Sequence, residues 1–148
     1  MPSALIPPER IIACSVAGSK RAVLTELAAL LHALDPDQVL ESIMAREQLG
    51  STGIGHGVAI PHSRLADLAA PILALARHPK GVDFEAIDGK PAHLIVMLLV
   101  PDDAASSHLE LLARLARLLQ EDEFRKQLMV CDDVMGLSEI FATKGFNT

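Results

Sequence analysis

Apolar positions recur at helical spacing along residues 20–34, where Val23, Leu24, Leu27, Leu30, Leu31 and Leu34 share one face and Lys20, Arg21 and Glu26 are left for solvent. A strand over 10–16 and the turn residues Gly18 and Ser19 precede this helix. Asp35-Pro36-Asp37-Gln38 then puts an acid at an N-cap, proline at the first helical position and Gln three residues beyond the cap. Val39, Leu40, Ile43 and Met44 make the buried stripe of that second helix, and Gly50 ends it. Residues 71–77 and 93–100 read as strands, the latter apolar at nearly every position, as in a central strand covered on both faces. His78-Pro79-Lys80-Gly81 and Asp88-Gly89-Lys90-Pro91 read as turns around a short strand or irregular segment at 82–87.

Beyond Pro101 the pattern is helical. Ser107 with Glu110 forms a second capping box, with His108 as the first helical residue. Leu109, Leu112, Leu115, Leu118 and Leu119 stripe one side, and Arg114, Arg117 and Glu121 fall on the wet side. Shorter helices are expected over 123–129 and 134–143, capped by Asp122 and Asp132. No repeat or linker interrupts the chain, so residues 1–148 are expected to form one domain. Strands mixed with helical pairs predict an α/β fold with a mixed sheet covered by helices on both faces.

Half of the 148 residues are hydrophobic, with no Trp or Tyr and four Phe, so the core is aliphatic and disorder is excluded. The net charge of −6 argues against a phosphate-backbone binder and hence against a nucleic-acid partner. Cys14 and Cys131 stand far apart in sequence with no CxxC, which argues against a disulfide scaffold or a cysteine zinc site. No signal-peptide pattern opens the chain, and its most apolar run, 94–100, is far shorter than a membrane span. A soluble cytoplasmic protein, not embedded in a membrane, is the expectation.

Candidate chemistry concentrates in 46–64, REQLGSTGIGHGVAIPHSR. Four glycines in eight residues exclude a stable helix and let backbone N–H groups, including that of Gly53, approach an anion, while Ser51 and Thr52 add hydroxyl donors. The nucleotide motifs fail: His56-Gly57 replaces the Lys and Ser/Thr of GxxxxGK[ST], and no glycine stands three residues after Gly55. Two histidines change the picture. His62 follows a stiffening proline, and His108 sits beside unpaired N–H groups at a helix start, which favour an anion. His32, His78 and His93 read as surface or satisfied residues, and His56 lies inside the glycine-rich segment. Neutral imidazole is a nucleophile near neutral pH and can take a phosphoryl group on one nitrogen while a hydrogen bond holds the other. His62 as nucleophile, His108 as donor and Arg46 as a fixed positive charge would meet the demands of phosphoryl transfer. A donor that is itself a phosphohistidine requires no Mg²⁺ and no cofactor.

The run LGSTGIGHGVAIPH, Leu49 to His62, resembles the active-site signature of the type-2 enzyme IIA domains of the bacterial phosphotransferase system, and HLELLARLARLL from His108 resembles the segment bearing their second histidine. Within that group the chain is most similar to the nitrogen-related members, because no transport or sugar-specific segment is fused to it. The resemblance implies a three-layer α/β/α sandwich with a mixed sheet. It also implies phosphorylation of His62 by a phosphorylated HPr-like carrier, with His108 and Arg46 lining the site. In nitrogen-related members the phosphorylation state regulates other proteins, among them potassium-uptake systems and sensor kinases; in sugar-transport members the group passes to a IIB domain. His56 stands where Asn is common and Ser63 where Gly is common. Three other readings stay open: a sugar-specific enzyme IIA, a metal-dependent hydrolase using His56, His62 and His108 without an HExxH motif, and a binding module that has lost phosphorylation.

Overall fold

A computed structural model of the chain describes residues 4–66, 68–102 and 106–147, the side chains of 106–108 excepted. A 3-10 turn at Pro8–Arg10 leads into β1 (Ile11–Ile12), α1 (Lys20–Ala29) and α2 (Pro36–Gln48). Strands β2 (Gly53–Gly55), β3 (Val58–Ala59), β4 (His62–Leu65), β5 (Ile72–Val82) and β6 (Ala92–Pro101) follow, then α3 (Ser106–Leu119), α4 (Asp122–Val130) and α5 (Val134–Thr143). The strands form one mixed sheet in the order β1-β5-β6-β3-β2, with β4 also paired to β6. β5 runs antiparallel to β6, whereas β3 and β4 lie parallel to successive stretches of it, Val58 opposite Leu94 and His62 opposite Leu98.

Side-chain alternation along β5 and β6 divides the interior into two layers. Ala74, Ala76, Ile95, Met97 and Leu99 face Val23, Leu24 and Leu27 of α1 and Val39 and Ile43 of α2. Leu73, Leu75, Leu94, Val96 and Leu98 face Leu115 and Leu119 of α3, Phe124 and Leu128 of α4, and Leu137 and Phe141 of α5. Both faces of the sheet are covered, which is the three-layer α/β/α arrangement expected from the chain. Phe141 sits edge-on to Phe124, with ring centroids 5.0 Å apart, and 5.8 Å from Phe146.

Several local expectations are corrected. The strand expected over 10–16 shrinks to Ile11–Ile12 because the groups beyond it bond elsewhere: the buried Arg77 guanidinium takes the Ala13 carbonyl at 3.0 Å, and the Ser15 N–H donates to the Arg77 carbonyl. The first helix stops at Ala29. The turn expected at 78–81 is part of β5, where the register shifts between Arg77 and Val82 and the Gly81 N–H donates to His78 Nδ1 at 2.9 Å. Helix α3 begins at Ser106, so Ser107 is not its N-cap and His108 is its third residue. Leu109 is 64% exposed rather than part of the buried stripe. Asp122 is the first residue of α4 rather than its cap, and Asp133, not Asp132, caps α5 by accepting from Met135 and Gly136 N–H groups. Asp35 caps α2 as expected, accepting from Asp37 N–H at 3.0 Å.

Lys20, expected in solvent, is turned inward instead. Its ammonium lies 2.7 Å from Glu47 Oε1 and 5.1 Å above the Phe84 ring, joining the start of α1 to the end of α2 around a carboxylate whose side chain is only 2% exposed. That carboxylate also accepts the Thr52 N–H at 3.2 Å and the Thr52 hydroxyl.

Strands β2 and β3 form a hairpin that pattern alone does not reveal. His56 and Gly57 have φ of 58° and 77°, the double left-handed geometry of a type I′ turn, in which glycine is free and His is among the better tolerated alternatives. Asp88 clamps the turn: its two oxygens accept the Lys90 N–H at 3.0 Å and the His56 N–H at 3.1 Å. The Lys90 N–H above all, and then the His56 N–H, hold the Asp88 carboxyl below the usual carboxylate range against an opposing desolvation.

Two outcomes are expected. Phe141→Ala should destabilise the protein by about 3–5 kcal/mol, and Asp133→Ala by only about 1 kcal/mol, in urea denaturation. Because the folded Asp88 pKa is depressed, the clamp is complete above the ordinary value of about 4 and is lost as pH falls through the folded value. The Lys90 amide resonance should therefore report the clamp, holding steady as pH falls to about 4 and titrating below it, and in Asp88→Asn that titration should vanish.

Candidate functional site

His62 opens β4 directly after Pro61, at the break between the two short strands that share one edge of β6. Its register partner Leu98 packs in the α3–α5 layer, so the imidazole stands on that face of the sheet and is half-buried. The ring is fixed from within its own segment, His62 Nδ1 lying 2.8 Å from the Ile60 carbonyl. A carbonyl only accepts, so Nδ1 carries the proton in the neutral ring and the Nε2 lone pair is left as the nucleophile. The neighbouring Ser63 faces the opposite layer, where its hydroxyl bonds that of Ser42 on α2.

Arg46 lies one turn after Ser42 in the last turn of α2, and its Nη1 donates to the Gly50 carbonyl at 2.9 Å. The guanidinium thus caps the helix end from which the glycine-rich segment departs. α2 packs on β4 from the Ser63 side, the face of the sheet opposite the His62 imidazole, and carries Arg46 at its C-terminal end. His108 lies in the first turn of α3; its side chain is outside the described residues.

Ser51, Thr52 and Gly53, read from the sequence as anion donors, are engaged inside the protein. The Ser51 hydroxyl donates to the Phe84 carbonyl at 2.5 Å and accepts the Gly53 N–H at 3.0 Å. Both Thr52 donors go to Glu47. A Cβ at Gly53 would stand 2.9 Å from Ala86 Cβ, so glycine there serves the close approach of the 84–88 segment. An anion could use these donors only by exchanging existing bonds.

Sequence reasoning missed Glu47, Lys20, Asp88 and the Ile60 carbonyl. One signal was available: Glu47 in the last turn of α2 and Lys20 in the first turn of α1 each oppose their helix dipole, a placement that asks for compensation. The bland reading of two histidines matches their surroundings, His78 Nε2 lying 2.7 Å from the Ala17 carbonyl and His93 Nδ1 3.0 Å from that of His78. His56 is exposed at the hairpin tip. Among the described residues no three of His, Cys, Asp and Glu converge as a metal would require, and no helix is long and apolar enough to cross a membrane.

Comparison with known proteins agrees with this architecture. The family described as phosphoenolpyruvate-dependent sugar phosphotransferase system, EIIA 2, matches residues 4–144. A nitrogen regulatory protein of Bradyrhizobium diazoefficiens is 38% identical over 141 residues, covering 93% of this chain and 92% of that protein. The fructose-specific EIIABC component of Bacillus subtilis is 39% identical over 125 residues, 82% of this chain but 20% of that protein. The crystal structure of nitrogen regulatory protein IIA-Ntr from Neisseria meningitidis superposes with a TM-score of 0.87 at 39% identity, covering 92% of this chain and 95% of the other. With its three-layer fold and its histidine at the break beside β6, the chain belongs to the EIIA 2 family of the phosphoenolpyruvate-dependent sugar phosphotransferase system.

Proposed function

We propose that this chain accepts a phosphoryl group on His62 Nε2 from a phosphorylated HPr-like carrier, and that its phosphorylation state regulates other proteins, potassium-uptake systems and sensor kinases being the candidate classes. The observation that carries the reading is the bond between His62 Nδ1 and the Ile60 carbonyl. It orients the ring, leaves Nε2 bare, and stabilises the positive charge the ring takes on when Nε2 bonds phosphorus. In the step, the Nε2 lone pair forms the new N–P bond as the donor's N–P bond breaks, and that electron pair returns to the donor imidazole. No proton need move at the reacting nitrogens.

Arg46 supplies N–H groups beyond the one engaged by Gly50, and its charge opposes that of the phosphoryl oxygens in flight. His108 adds a donor at the start of α3, where helix N–H groups favour an anion. Ser51, Thr52 and Gly53 act first as bracing for the segment that ends at His62, and as phosphate donors on exchange of their internal bonds. Exposed Leu49, beside Arg46, and exposed Leu109, beside His108, offer apolar contact to a docking carrier. Residues 1–148 work as one EIIA domain in the cytoplasm. The nitrogen regulatory relatives, matched over nearly their whole length, favour regulation over sugar transport.

A second reading has its own support in the fructose-specific component of equal identity: onward transfer to a IIB domain. Incubation with phosphoenolpyruvate, enzyme I and an HPr-like carrier should add one acid-labile phosphoryl group by intact mass. His62→Ala should add none, and Arg46→Ala and His108→Ala should each slow acceptance by about 100-fold. Rapid loss of the group to an added IIB protein would favour the transport reading. A His62→Ala protein that still gained the group, or a native protein that gained none from any competent carrier, would overturn the proposal.

A further inference from the structure

We infer that Glu47 is a positioning residue for His62, holding the imidazole in its reactive tautomer through Thr52 and Ile60; the inference rests on His62 being the phosphoryl acceptor. The connection is an unbroken line of hydrogen bonds. Lys20 Nζ meets Glu47 Oε1 at 2.7 Å, and the same carboxylate takes the Thr52 N–H at 3.2 Å and the Thr52 hydroxyl. The Thr52 carbonyl accepts the Ile60 N–H at 3.0 Å, and the Ile60 carbonyl takes His62 Nδ1–H at 2.8 Å.

Three features make the line a constraint rather than a coincidence of neighbours. Glu47, Thr52 and Ile60 are 6%, 4% and 2% exposed, so water is poorly placed to replace a lost link. Pro61 confines the preceding Ile60 to extended backbone, so the Ile60 carbonyl has little freedom to swing relative to the Ile60 N–H that Thr52 holds. Only a carboxylate satisfies everything around position 47: two oxygens for the two Thr52 donors, and a negative charge for Lys20. Glutamine would keep the shape but give one acceptor oxygen, and its amide N–H groups would face the ammonium or the Thr52 donors. Arg46 is the adjacent residue and grips Gly50, so two consecutive residues of α2 hold the two ends of the 50–52 segment.

The test uses ¹⁵N-histidine NMR on the unphosphorylated full chain, where no carrier is involved. In the native protein the neutral His62 ring should show a protonated Nδ1 and a bare Nε2. Glu47→Gln should give a mixture of the two tautomers, and Lys20→Met a smaller change in the same direction. Phosphoryl acceptance by Glu47→Gln should lose about tenfold in kcat with the KM for the carrier unchanged. Thr52→Ser, which keeps both donors to Glu47, should keep the native tautomer in the same spectrum. If Glu47→Gln does not fold, Lys20→Met and Thr52→Val decide the question by the same spectrum. A native tautomer in the folded variants overturns the inference. The spectrum reads the ring without any transfer, so a His62 that accepts no phosphoryl group would defeat the functional reading and leave this result to stand or fall separately.

Discussion

A buried carboxylate in the last turn of a helix is electrostatically misplaced, and so is a lysine in the first turn of another. Glu47 and Lys20 resolve both problems by meeting. Each opposes its own dipole, and the pair therefore ties the C-terminal end of α2 to the N-terminal end of α1. The remaining capacity of the carboxylate goes to Thr52, where the chain leaves the helices for the hairpin. Removing one partner would leave an uncompensated charge in a largely dehydrated place, a far greater cost than loss of a surface ion pair. The pair thus adds an electrostatic tie to the apolar packing of the α1–α2 layer. It fixes a position as well as a contact.

The elements legible in the sequence are those whose causes are local. Asp35-Pro36 starts α2, and the unbroken apolar run of β6 announces a strand buried on both faces. The misread elements depend on distant partners. Strands β2, β3 and β4 have two to four residues each and exist because β6 and one another complete their hydrogen bonds. His78-Pro79-Lys80-Gly81 has turn chemistry but is absorbed into β5 as an irregularity, since the buried His78 ring supplies the acceptor that a turn would have supplied. The first strand is cut short by the Arg77 guanidinium, donated from 64 residues away to Ala13. No window of sequence contains that information.

The site divides in the same way. His62 and Arg46 stand out by residue type beside a glycine-rich run. The groups linked to His62 do not, because the Ile60 carbonyl is a backbone atom and Glu47 reads as one more helical surface acid. The placement of His62 is itself a property of the sheet. One edge of β6 is shared end to end by β3 and β4, and Pro61 sits at the joint. A joint in a ladder is where a side chain can be presented at the start of a strand, held by rigid backbone on both sides.

The aromatic inventory bears on how such a protein can be observed. With no Trp or Tyr, and with Phe84, Phe124, Phe141 and Phe146 all buried, the chain is nearly dark in the near-ultraviolet. Its concentration must be read from peptide absorbance, and its unfolding gives no tryptophan emission to follow. The same darkness becomes an asset in a mixture. Any tryptophan signal belongs to the other protein, so a partner's own fluorescence reports association with this one against an empty background.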